Sequence, residues 1–142
     1  MSQQRYRSGR CLCGEVQFEV KNASICVAVC HCGMCRHWVG GPFMAVDCGT
    51  EVTFDGAENI SIYDSSEWAE RGFCKKCGSN LFYRIKGLNQ YQIPPGLFDD
   101  DSNLVFNLQV FVDERPEYYD FSNNTNNMTG AEVYAKYGPP AE

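Results

Sequence analysis

The sequence predicts a mainly β domain of short strands, pinned together by metal. Three observations carry that reading. Several short segments alternate polar and apolar residues, the period of two that a half-buried strand requires. Nine Phe and eight Tyr make the chain aromatic-rich, which favours strands over helices. Seven of the nine cysteines stand in the patterns CLC, CHCGMC and CKKC. Such clustering suits metal ligation better than disulfide bonding.

The elements follow in order along the chain. Residues 15–20 (EVQFEV) put Val16, Phe18 and Val20 on one face of a strand. Residues 24–29 (SICVAV) are an apolar run leading into the central cysteines. Residues 43–47 and 51–54 are short strands, with Gly49 between them and Asp55-Gly56 as a turn. Residues 59–63 alternate again, and 79–85 (SNLFYRI) form a strand after the CKKCG turn. Residues 90–93 are stopped by Pro94-Pro95, which cannot continue a central strand. FDDDSN, 98–103, is a loop, and 104–112 (LVFNLQVFV) is the strongest strand pattern. Helical periodicity is confined to 129–137, with Thr129 as the cap. The polar SNNTNN stretch before it reads as a mobile tail.

With 142 residues the chain is expected to be a single domain, 1–142. Its formal net charge of -6 offers no attraction to a phosphate backbone, so nucleic acid is not the expected partner. MSQQRYRSGR has no apolar run behind its charges, so it does not read as a secretory signal. No apolar stretch approaches the ~18 residues of a membrane helix. The expectation is a cytoplasmic protein without a membrane partner. In a reducing cytosol the thiols stay unpaired, and ligation explains their spacing.

Cys11, Cys13, Cys74 and Cys77 form the first expected metal site. Each pair sits on a turn closed by glycine, Gly14 or Gly78, which lets amide N–H groups approach the sulfurs. Four thiolates close a tetrahedral shell, the mark of structural zinc. A redox CxxC at Cys74–Cys77 is the alternative, but it leaves Cys11 and Cys13 without a role. Cys30, Cys32 and Cys35 form the second site, three ligands within six residues. Three protein ligands plus an open position is the arrangement of catalytic zinc. The alternative is a second closed site completed by His31, Cys26 or Cys48. His37 reads as a surface or packing residue.

RCLCGEVQF, VCHCGMCR, GFCKKCGSNLF and FVDERPEYY resemble, in order, the glutathione-dependent formaldehyde-activating enzyme and centromere protein V family. The resemblance runs from about Gly9 to Phe121, leaving 122–142 as a polar C-terminal tail. It implies a β-tent fold of short antiparallel sheets stitched by two zinc ions. It also assigns Cys11, Cys13, Cys74 and Cys77 to structural zinc, and Cys30, Cys32 and Cys35 to catalytic zinc. The activity it implies is that of a carbon–sulfur lyase joining formaldehyde to glutathione as S-hydroxymethylglutathione.

A thiol such as glutathione is then the expected partner, activated at the inner zinc to attack an aldehyde. Arg36 follows the last ligand and is the candidate contact for an anionic substrate group. Trp38, Phe43, Phe73 and Tyr83 are candidate pocket walls, and Gly96 with Asp99 form a GLFD turn. The competing reading is a non-enzymatic zinc-stabilised module that binds a thiol, peptide or protein. A weaker third is a zinc or redox sensor.

Overall fold

The computed structural model describes residues 4–137. Eleven strands and two α-helices alternate with three short 3-10 turns. β1 (Gln4–Arg10), β2 (Gln17–Ser24) and β5 (Val52–Asp55) form a three-stranded sheet in the order β1-β2-β5. The larger sheet holds β3 (Cys26–Cys30), β4 (Phe43–Asp47), β6 (Ile60–Tyr63) and β7 (Ala69–Cys74). It also holds β8 (Asn80–Ile85), β9 (Gln90–Ile93), β10 (Val105–Val110) and β11 (Asn126–Met128). Its order is β11-β10-β3-β4-β9-β8-β7-β6. The expected alternation holds: Val16, Phe18 and Val20 are buried and their neighbours Gln17 and Glu19 are exposed. They join Val27, Val46, Leu81, Phe82, Ile93 and Phe98 in the main core.

The expected antiparallel pairing holds for most of the fold, with one departure. β10 runs parallel to both β3 and β11, so the large sheet is mixed. A second departure is a helix before residue 129. α1 (Gly33–Val39) occupies the centre of the cysteine-rich segment, where no helical period is visible in the residues. Seven residues make only two turns, too few for a period of 3.6 to register.

Three strands, β1, β7 and β11 (Asn126–Met128), were not expected. β1 reads as polar because its buried Arg7 spends its charge internally, donating to the carbonyls of Asp100 at 2.6 Å and Ser102 at 2.9 Å. β7 carries Arg71 and Gly72 where an apolar residue would announce a strand. Gly72 is required there: a Cβ would stand 2.4 Å from the Phe82 ring.

The C-terminal segment is more ordered than its composition suggests. Asn126–Met128 pairs with β10 as β11, correcting the expectation of a mobile SNNTNN tail. α2 (Gly130–Tyr137) then starts where expected. Thr129 Oγ1 accepts from Glu132 N at 3.2 Å, and Glu132 Oε1 accepts from Thr129 N at 2.8 Å, a reciprocal capping box. Among the described residues no helix is long and apolar enough to cross a membrane.

Candidate metal centres

The outer centre forms where two turns meet. The CLCG turn joins β1 to β2, and the CKKCG turn joins β7 to β8. Both end on a left-handed glycine, Gly14 and Gly78, each at φ +82. A side chain is strained in that conformation, so glycine is the residue that closes both turns. Leu12 N donates to Ser79 Oγ at 3.0 Å and fastens one turn to the other. The sulfurs of Cys11, Cys13, Cys74 and Cys77 all lie within 4.8 Å of one another.

Their separations fit a tetrahedral ion. Cys11 and Cys13 sulfurs stand 3.6 Å apart, and those of Cys13 and Cys74 stand 3.8 Å apart. Zn–S bonds of ~2.3 Å give tetrahedral edges of ~3.8 Å. Protein dipoles already favour the thiolate at Cys11 and Cys77, whereas Cys13 is pushed up. Val16 N donates to Cys11 Sγ at 3.4 Å. The Ser79 hydroxyl and nearby backbone N–H groups bring Cys77 down to about 5.

The inner centre is built from one strand end and one helix start. Cys30 closes β3, Cys32 is the N-cap of α1, and Cys35 lies in its first turn. Cys32 Sγ caps the helix by accepting from Cys35 N at 3.4 Å. Gly40, at φ +82, ends the helix. These three sulfurs also lie within 4.8 Å of one another, and no other His, Cys, Asp or Glu among the described residues joins them. Hydrogen bonds from Cys30 and Cys35, aided by backbone N–H groups, hold Cys32 far below the usual thiol range. Cys30 is pushed up by its hydrogen bonds to the other two.

Trp38, Val39, Phe43, Ala45 and Tyr83 pack around this cluster. Three of the four aromatics expected near the site, Trp38, Phe43 and Tyr83, pack on the cluster. Phe73 is not among the hydrophobics packed on this cluster.

A residue that the sequence reading passed over completes the inner centre. Arg71 on β7 is only 4% exposed and donates through both terminal nitrogens to Cys35 Sγ, at 3.7 and 3.8 Å. Its guanidinium lies 5.0 Å from the Trp38 ring and 4.8 Å from the Tyr83 ring. Arg36, the expected anion contact, donates its Nε to the His31 carbonyl at 2.8 Å and fastens the loop.

With this geometry in view, comparison with known proteins is decisive. The profile of the glutathione-dependent formaldehyde-activating enzyme family matches residues 6–114. The chain belongs to that family. A Schizosaccharomyces pombe protein described as an uncharacterized lyase is 39% identical over 126 residues. The match covers 88% of this chain and 92% of the yeast protein. A crystal structure of a Rhodobacter sphaeroides protein has the same fold, with a TM-score of 0.53 and 24% identity. It covers 65% of this chain and 87% of that one.

The family's central CHC motif places His31 between two of the clustered cysteines, and the structure turns it away from them. His31 is fully buried, and burial lowers its pKa, which keeps it neutral. Nε2–H donates to Gln109 Oε1 at 2.7 Å, so Nδ1 accepts from the Tyr119 hydroxyl at 2.8 Å. Gln109 Nε2 donates to Thr125 Oγ1 at 2.9 Å, and that hydroxyl donates to Asn127 at 2.7 Å. Every donor points one way along this chain of bonds, and neither ring nitrogen is free for a metal.

The other candidate closers are elsewhere. Cys48 is buried in the main core, and burial pushes its thiol up to about 12. Cys26 starts β3, about 13 Å of strand from Cys30, and accepts from Asn107 Nδ2 at 3.2 Å. His37 is exposed, its Nδ1 2.7 Å from the Gly33 carbonyl. The GLFD turn serves the outer side of the molecule. Gly96 lies in the 3-10 turn Pro95–Leu97, and Asp99 accepts from the Ser8 hydroxyl at 2.9 Å.

Family likeness and the cysteine geometry thus give a metal-binding member of a lyase family. Arg71 is the inner-site residue that no motif announced, and Glu114, within FVDERPEYY, is one to which no role was assigned. Glu114 Oε1 accepts from Gly33 N at 2.9 Å and fixes the start of α1. The only sequence signal for Arg71 was a charged residue directly before the Gly72-Phe73-Cys74 run, a polar intrusion into a strand.

Proposed function

We propose that this chain is a zinc-dependent carbon–sulfur lyase of the glutathione-dependent formaldehyde-activating type. It acts on a thiol, with glutathione the leading candidate, and on an aldehyde or their adduct. The observation that carries the reading is the three-cysteine inner cluster, which sits beside a buried guanidinium and lacks a fourth protein ligand among the described residues.

Cys11, Cys13, Cys74 and Cys77 would hold the structural zinc, and Cys30, Cys32 and Cys35 the catalytic one. All-thiolate donors at tetrahedral spacing favour zinc over harder divalent ions. When bound, the inner zinc supplies a Lewis-acidic position that favours the thiolate form of an incoming thiol. The protein's share is placement. Arg71 adds positive charge beside the sulfurs, and Trp38, Phe43 and Tyr83 provide an apolar wall that limits water. Arg36, held through Nε, would contact an anionic substrate group.

The reaction class is addition of a thiol across an aldehyde C=O. The sulfur–carbon bond forms, the carbonyl π pair moves to oxygen, and that oxygen takes up the proton that left the thiol. The adduct is broken by the reverse path. Because this addition proceeds readily in water, positioning is the main contribution asked of the protein. Thiol-rich centres of this kind are consistent with a reducing, cytoplasmic setting, and the net charge of -6 argues against a nucleic-acid partner.

The test is metal content followed by ligand response. The parent should hold two zinc ions per chain, and Cys35→Ser should hold one while keeping its β circular dichroism. Cobalt in the inner centre should change its visible spectrum with glutathione but not with S-methylglutathione. A parent that ignores glutathione, or a Cys35→Ser protein that still holds two metals, would leave the binding-module reading as the better one.

A further inference from the structure

Arg71 is a charged residue that the fold buries without a carboxylate. It is 4% exposed on β7, which lies between β8 and the edge strand β6 of the large sheet. Two ion pairs occur among the described residues, Arg84–Glu70 and Lys86–Asp64, and Arg71 is in neither. Its neighbour Glu70 is held by Arg84 at 2.7 Å. Strand alternation sends the two side chains to opposite faces. Burial of an unpaired cation is costly unless something anionic compensates it. The groups that face Arg71 are the Cys35 sulfur and two aromatic rings. Rings soften the cost but do not neutralise a charge. The compensating anion is the thiolate cluster.

We propose that Arg71 is the charge-balancing residue of the inner centre, and that it sets the centre's preference for an anionic, sulfur-type fourth ligand over a neutral one. This rests on the lyase reading and sharpens it. Three thiolates around a divalent ion leave one net negative charge, and an incoming thiolate would raise that to two. A guanidinium in contact with one of the sulfurs offsets the increase where water is scarce. The outer centre supplies the contrast. Among the described residues its sulfurs receive only backbone N–H, hydroxyl and thiol hydrogen bonds, and no guanidinium donates to them. Four thiolates already fill its shell, so it has no further anion to accommodate. A merely structural Arg71, stacked between Trp38 and Tyr83, would leave ligand preference unaffected.

The experiment compares two fourth ligands on the cobalt-loaded full-length protein: 2-mercaptoethanol, whose only charge is on sulfur, and imidazole, a neutral donor. Variants are Arg71→Met, Arg71→Gln and Arg71→Lys, with circular dichroism and retention of the outer metal reporting the fold. Arg71→Met and Arg71→Gln should bind 2-mercaptoethanol about tenfold more weakly or worse, with imidazole affinity changed by less than about threefold. Arg71→Lys, which keeps the charge but loses the fork, should stay within about threefold of the parent for the thiol. If the Met variant does not fold, the Gln and Lys variants carry the comparison. Equal weakening of both ligands, or a Lys variant that falls with the neutral ones, overturns the proposal. A parent blind to 2-mercaptoethanol refutes the lyase reading instead, whereas a responsive parent with unchanged variants refutes only the role of Arg71.

Discussion

Replacing Cys74 with serine removes a buried ligand from the outer centre and cuts the tie between the two sheets. The magnitude follows from chain topology. Cys13 and Cys74 are 61 positions apart, and a bound ion would close that loop as a cross-link does. Treated with loop-closure entropy, a cross-link of this span is worth about 4 kcal/mol at 25 °C. The figure applies when the ion is lost altogether, and the remaining thiols then lose their counter-charge as well. Domain stabilities run at roughly 5–15 kcal/mol, which makes the loss a large share of the total. For a chain of this size it corresponds to a fall in Tm of roughly 8–16 °C or to outright unfolding. Thermal denaturation followed by circular dichroism, with zinc measured on the same samples, reads both quantities. A Cys74→Ser protein that melts within about 2 °C of the parent would refute the idea that the outer centre ties the fold together.

Two further outcomes are expected. Gly72→Ala should destabilise by about 1–3 kcal/mol in urea denaturation, because its new Cβ meets the buried Phe82 ring at 2.4 Å; an unchanged midpoint would mean that β7 yields more easily than its packing suggests. Tyr119→Phe should cost about 1–3 kcal/mol by leaving His31 Nδ1 buried without its donor, and native-state hydrogen exchange should speed up around residues 30–36 while the outer centre keeps its metal.

The inner cluster was legible because CHCGMC brings its three sulfurs close whatever the rest of the chain does. CLC and CKKC each bring one pair close in the same way, but joining the two pairs into one site takes turns 61 positions apart, and no local spacing encodes that. The alternating strand at Val16–Val20 was legible for a similar reason: one buried face imposes its period on the residues. What escaped depended on distant partners. β1 looks polar until Arg7 is seen bonded to carbonyls more than ninety positions away. Arg71 looks like a surface charge until β7 is placed between β6 and β8, facing Cys35. The parallel pairing of β10 with β3 leaves no mark on either segment, since the side-chain alternation is the same in both directions. α1 is too short to show a period, and its boundaries are set by the Cys32 cap and by Gly40 rather than by an apolar stripe.

The one-way chain of bonds from Tyr119 through His31 to Asn127 gives the two centres different birthdays during synthesis. The outer four cysteines are all present once Cys77 has left the ribosome. The CHC loop gains its full support only after β10 has paired with β3 and residues 119–127 have arrived. At roughly 5–20 residues per second, those last fifty or so residues take several seconds. During that interval three neighbouring thiols stand without the network that later fixes their backbone, when they are most open to oxidation or to the wrong ion. A chain released early, or with its end tethered, would carry a finished outer staple and an unfinished inner centre, and so would fold before it could work.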